Sequence, residues 1–200
     1  MTSASKIILA SRSPRRRELL QEAGYVFEVR PASEAAESGP TGDESPVRLV
    51  TRHAYQKAAE VAPHVAEGIV LGCDTVVECG GTILSKPADK DDARRMLRSL
   101  RGQRHRVLSG LCLWKRPHGA PWTRVAVTIL EMDCLSDSQI EDYLTTDAWQ
   151  GKAGAFGYQD RAGWIRVVEG SESNVVGLPL ELLAKMLAGL DSDRPDGQPT

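Results

Sequence analysis

The 200-residue chain has little of what marks membrane, nucleic-acid-binding or metal-scaffold proteins. No apolar run approaches the ~20 residues of a membrane span, and the opening MTSASK lacks the shape of a signal peptide. With 25 basic and 27 acidic side chains the formal charge is −2. The chain as a whole therefore exerts no general pull on nucleic acid or on an anionic membrane. Aromatic residues make up 5% of the chain and do not interleave with basic runs into a stacking face. The cysteines Cys73, Cys79, Cys112 and Cys134 stand in apolar segments without a Cys-x-x-Cys pair. They read as small buried hydrophobes of a reducing compartment, not as a zinc site. His53, His64, His105 and His118 have no ligand spacing and read as incidental. A Walker loop, a G-x-G-x-x-G and a G-x-S-x-G are all missing, which counts against the commoner nucleotide-binding and hydrolase folds. What remains is a soluble globular protein, expected in the cytoplasm and engaging neither nucleic acid nor membrane.

The stretch Ile7 to Leu20, IILASRSPRRRELL, carries the first positive signal. A short apolar run predicts a buried strand, and Ser13 with Pro14 predicts a helix start. Arg15, Arg16 and Arg17 then crowd the first helical turn, where the dipole disfavours cations by about 0.3–1 kcal/mol each. They are either a solvated helix face or, with the hydroxyls of Ser11 and Ser13, a site for an anion such as phosphate.

Further along, Tyr25 to Arg30 predicts a short strand and Pro31 to Asp43 a mobile loop. Ser45 and Pro46 open a helix with Val47, Val50, Ala54, Ala58 and Val61 on its inner side and Lys57 at that side's edge. Ile69 to Val77 predicts a buried strand, turned at Gly80-Gly81 into a hairpin with Thr82 to Leu84. Asp89 to Leu100 reads as a helix, Arg106 to Lys115 and Thr123 to Asp133 as long strands. Ser136 and Gln139 form a capping box for a helix through Leu144. Trp164 to Val168 predicts a strand and Pro179 to Leu190 a last helix. Residues 191–200 read as a disordered tail behind a single domain over 1–190. The pattern is α/β with a mixed sheet and flanking helices.

Three stretches could carry chemistry. Asp74 interrupts an apolar strand, so it needs a partner, a metal or a task, unless it merely caps the next turn. Lys86, in Ser85-Lys86-Pro87, returns toward Asp74 along the hairpin. The two are a plain ion pair, or a metal ligand or base facing a phosphate-binding lysine. In KAGAFGYQ, Lys152 to Gln159, small residues let a flat ligand approach, and Gln159 offers a donor and an acceptor to a base edge or to water.

Taken together, LASRSPRRRELL, LGCDTVV, SKP, KAGAFGYQ and VVGLPLELL resemble, in order and spacing, the Maf family of nucleotide pyrophosphatases, over Ile7 to Leu187. The resemblance implies an elongated α/β fold with two lobes around a cleft, akin to inosine triphosphatases, and a homodimer. It implies cleavage of the α–β phosphoanhydride of a nucleoside triphosphate with a divalent cation, Mg²⁺ or Mn²⁺. By motif, Ser11, Arg15 and Arg16 would hold the triphosphate with Lys57 and Lys86, and Asp74 would activate water while touching the metal. Arg15, Thr75 and Gln159 resemble the members that prefer dTTP and UTP. Members acting on 7-methyl-GTP have an aromatic, Gln and Glu at those positions. The loop acids depart from the family pattern. Glu37 or Glu34 would supply the further carboxylate to the metal, unless Ala36 occupies that place. Cys73 replaces a common Ala beside Asp74 and is a tolerated small residue. A nucleotide-binding regulator of cell division is the reading from another class, but it has no use for a water-activating Asp.

Overall fold

The computed structural model describes residues 6–37, 44–158 and 163–191. Its sheet is built on three long strands, β3 (Gly68–Cys79), β5 (Arg104–Arg116) and β6 (Pro121–Met132), the last two joined through a short turn. Parallel β1 (Ile7–Leu9) and β2 (Phe27–Val29) extend it on one side, antiparallel β7 (Ile165–Glu169) on the other. The order is β2-β1-β3-β5-β6-β7, with β4 (Thr82–Leu84) folded back on β3 through the turn at Gly80-Gly81. Both turn glycines have positive φ, as that hairpin requires. The mixed α/β sheet expected from the pattern is the one observed.

Strand β3 shares one edge between two partners. β1 pairs with residues 69–71 and β4 with residues 77–79, so among the described residues no strand pairs with residues 72–76 along that edge. Asp74 and Thr75 lie in this gap.

The period of two along β3 divides the packing. Val70 points toward helix α2 (Pro46–Val61) and packs with Ala54, Ala58 and Cys112. Leu71 and Cys73 point the other way, into a cluster with Leu20 of α1 (Pro14–Glu22) and Leu183 and Met186 of α6 (Leu180–Asp191). Farther along, Val77 and Val107 join Leu97 of α3 (Lys90–Leu100) and Ile140 of α4 (Asp137–Thr145) in a second cluster.

Helix α2 presses directly on the sheet. A Cβ on Gly72 would stand 2.0 Å from the Ala54 carbonyl oxygen, and one on Gly110 would stand 2.2 Å from that of Val50. Backbone against backbone leaves no side chain able to yield, so only glycine is accommodated.

Several local expectations need correction. Ser13 has the extended backbone of an N-cap, but its side chain caps nothing, and its own N–H donates to Ser11 Oγ. Ser45, Asp89 and Ser136 do cap their helices, Ser136 within the expected box with Gln139. Val47 is exposed, because it faces a groove with Tyr55 and Pro121 while Leu49 takes the core position. Cys134 is exposed and Cys79 half-buried, since one lies beyond the end of β6 and the other at the hairpin. The segment expected as one loop contains a 3₁₀ turn at Glu34–Glu37, and residues 38–43 lie outside the described residues. Of the expected tail, Asp191 still belongs to α6 and the rest lies outside the described residues. Helix α5 (Glu172–Val176) was not anticipated. Among the described residues no helix is long and apolar enough to cross a membrane.

Gly110→Ala is expected to lose about 3 kcal/mol of stability in urea unfolding, together with activity that depends on α2. An unchanged unfolding midpoint would show that the helix can rise from the sheet at little cost.

Candidate active site

A cleft of about 650 Å³ opens over the gap in β3. It is lined from one side by the β1–α1 turn and from the other by Lys86 and the segment around Gly151 to Gly157. The absent strand partner is what lets Asp74, which faces α2, and Thr75, which faces the opposite side, both border one space. Six cationic side chains line it, Arg12, Arg15, Arg16, Lys57, Lys86 and Lys152, against the carboxylates Asp74 and Glu34. In a chain of net charge −2 this is a local concentration of positive potential. The end of α1 adds to it, because the Ser13 side chain does not cap the first-turn N–H groups pointing out of that helix.

At the floor lies Asp74, 7% exposed. Lys57 Nζ donates to its Oδ1 at 2.7 Å and to the Cys73 carbonyl at 3.2 Å. His53 Nδ1 meets Oδ2 at 2.9 Å. His53 and Lys57 are four residues apart on α2, hence stacked on the same face. Burial alone would push the Asp74 carboxyl up. The His53 hydrogen bond and the nearby Lys57 ammonium, with Arg16 beyond, outweigh it and hold the group at about 2. Lys57 is therefore not at the edge of the buried face, as its spacing suggested, but 3% exposed and ion-paired.

Arg16 also departs from expectation. It is buried, and its guanidinium works as a strut: Nε donates to the Gly177 carbonyl at 2.8 Å, Nη1 to Ser11 Oγ at 2.9 Å and Nη2 to Thr75 Oγ1 at 3.2 Å. Thr75 Oγ1 further pairs with Ser109 Oγ at 2.8 Å across the β3–β5 ladder. Three chain segments thus meet at one guanidinium, whose planar fork suits such a junction. Gly177 is held by α5, which Asn174 ties to β5 and β6 through Val107 O and Thr128 Oγ1. Arg15 reaches across the cleft to the Gly151 carbonyl at 3.1 Å, and Arg17 is exposed and outside the lining.

Of the residues singled out from sequence, Ser11, Arg15, Arg16, Lys57, Asp74, Thr75 and Lys86 all border this cleft. Gln159 and the Glu37 side chain lie outside the described residues. Glu34, on the rim, accepts from Arg12 at 3.1 Å. Sequence reasoning passed over Arg12, named Lys152 only as the start of the loop that a flat ligand would approach, and set His53 aside as incidental. The only signal for His53 was its spacing of four from Lys57. Among the described residues no group of three or more His, Cys, Asp or Glu forms a metal cage. The donor set still suits Mg²⁺ held by one or two carboxylates and completed by ligand phosphates, since each Asp74 oxygen keeps a second lone pair.

The fold and site define an α/β protein with a cation-lined cleft over a buried, cation-held carboxylate. Residues 6–190 match the Maf-like protein family, and the chain belongs to it. A dTTP/UTP pyrophosphatase of Rhodopirellula baltica is 48% identical over 188 residues, covering 94% of this chain and 83% of that protein. One of Anaeromyxobacter dehalogenans is 42% identical over 199 residues, covering 98% of this chain and 100% of that protein. Among solved structures, a HAM1 protein from Coxiella burnetii covers 92% of this chain and 98% of its own at a TM-score of 0.47 and 16% identity.

The low Asp74 value makes a pH prediction. A depressed carboxyl contributes stability that is full above its unfolded value near 3.8 and is lost as pH falls through about 2. The contribution is roughly 2 kcal/mol. The stability gap between wild type and Asp74→Asn in urea should narrow by about that amount from pH 5 to pH 2. A gap that does not change with pH would mean that Asp74 is not held low.

Proposed function

We propose that this protein hydrolyses the α–β phosphoanhydride of nucleoside triphosphates, preferring dTTP and UTP, to the nucleoside monophosphate and pyrophosphate. The observation that carries the reading is Asp74, an ionised carboxylate on the floor of a cleft whose other charged groups are almost all cationic. The relatives named dTTP/UTP pyrophosphatases support the substrate class.

Each group then has a task. Arg15, Lys86 and the open end of α1, with Ser11 oriented by Arg16, bind the triphosphate, and Lys57 joins them from the floor. Asp74 takes a proton from the water that attacks one phosphorus of the α–β bridge; the bridging P–O bond breaks and the departing oxygen keeps the electron pair. A divalent cation, Mg²⁺ or Mn²⁺, would be held by Asp74, by a loop acid (Glu34 or Glu37), and by substrate oxygens. When bound it would neutralise charge developing on the phosphates. For the base, Arg15 and Gln159 are the groups we assign to pyrimidine recognition. The Thr75 hydroxyl, bonded to Arg16 and Ser109, supports them by fixing the strut. The four free thiols suit a reducing cytoplasm, and a homodimer is proposed on family grounds.

The test is pyrophosphate release from dTTP, UTP, CTP, GTP and 7-methyl-GTP, with and without Mg²⁺ or Mn²⁺. Metal-dependent release from dTTP and UTP above the rest is expected. Preference for 7-methyl-GTP would overturn the base assignment, and tight binding with no release would point to a regulator.

Asp74→Asn should lower kcat by about 10²–10⁴-fold. It should bind dTTP as tightly as wild type or more so, because Lys57 loses its resting partner. Turnover equal to wild type would remove Asp74 from the proton transfer.

A further inference from the structure

His53 is unused by the hydrolysis just described. It is buried, 6% exposed, and touches Asp74 on the carboxylate oxygen opposite to Lys57. It does not line the cleft, so the imidazole stands behind the carboxylate with respect to bound substrate. An ionised Asp only accepts, so Nδ1 carries the proton of this bond and the tautomer follows from the partner.

We propose that His53 is a positioning residue, whose Nδ1–H fixes the rotation of the Asp74 carboxylate so that Oδ1 is presented to the attacking water. This inference rests on the pyrophosphatase reading and adds a residue to it. Two observations carry it. First, the terminal torsion of Asp is broad and roughly two-fold, so a carboxylate with one partner swings and a carboxylate with two does not. Lys57 is a poor second anchor during the reaction, because its flexible ammonium is the group that phosphate oxygens compete for. His53 has a rigid ring and faces no substrate, so it keeps hold of Oδ2 while Lys57 shifts.

Second, the backbone that carries His53 cannot drift. The residues touching the sheet at Gly110 and Gly72 are Val50 and Ala54, which bracket position 53 on α2. Two close approaches of helix to sheet are therefore placed where the imidazole must reach β3. A water-activating carboxylate misplaced by about 1 Å loses about a hundredfold in rate, which is the scale on which such fixing matters.

The experiment compares His53→Asn, whose amide can donate near the place of Nδ1, with His53→Gln, whose amide reaches the place of Nε2. His53→Leu serves as the apolar reference. Steady-state pyrophosphate release from dTTP with Mg²⁺ is measured beside thermal melting of each protein. Gln and Leu should lower kcat by about tenfold to a hundredfold with KM changed less than about threefold, and Asn should restore kcat to within about threefold of wild type. Equal kcat in all four proteins overturns the proposal. So does an equal loss in all three variants that tracks their melting temperatures, because the role is then structural. A wild-type protein that releases no pyrophosphate from any triphosphate overturns the pyrophosphatase reading itself, and with it any role of His53 in that reaction.

Discussion

The site depends on one constraint, the direct seating of α2 on β3 and β5 at Gly72 and Gly110. An ordinary helix-on-sheet contact is spaced by side chains, and the groups that must meet Asp74 would then start farther away. Here the backbones touch, so a lysine and a histidine one turn apart both reach the same carboxylate. The ion pair that results is buried at the floor of the cleft. Such a pair is costly to desolvate and adds little net stability compared with an apolar replacement, yet it is expensive to break from one side. A fold selected for stability alone has no reason to retain it. Its retention at the floor of a cationic cleft is an argument for chemistry.

The second constraint is topological. β1 and β4 both claim the same edge of β3 and leave its middle unpaired. Alternation of side chains would normally send Asp74 and Thr75 to opposite faces with the sheet between them. The gap turns that separation into one continuous cleft, with Asp74 and its two partners on the α2 side and the Arg16–Thr75–Gly177 strut on the other. The strut in turn holds the β1–α1 turn, α5 and β3 in register, so Arg16 ties together three of the elements that border the cleft.

Much of this was legible in the sequence, and the limits have physical reasons. Strands, hairpin and capped helices follow from local periodicity and turn chemistry, and they were placed within a few residues. The cleft residues were found because cations in a helix's first turn and a carboxylate in an apolar strand violate local preference. Roles set by distant partners were not legible. Arg16 could be told from Arg15 and Arg17 only by knowing what lies 161 residues away at Gly177. His53 sits comfortably on a helix, and only the tertiary contact with Asp74 reveals it. Val47 fits the apolar stripe, but the stripe's width says nothing about where the sheet ends.

One tension in the site points to how it would operate. A carboxyl held at about 2 is a weak base at neutral pH, and the groups that hold it there are His53 and Lys57. A polyphosphate entering the cleft competes for the Lys57 ammonium and weakens its hold on Asp74. The same entry displaces water and lowers the local dielectric, which raises the carboxyl further. The basicity of Asp74 is therefore coupled to the charge that arrives. Without a polyanion the carboxylate stays held by its lysine and histidine. Under the proposed function, a polyanion makes it a stronger proton acceptor as an anhydride arrives above it, provided something keeps it in place while its lysine moves. In this fold the group placed to do so is the histidine behind it.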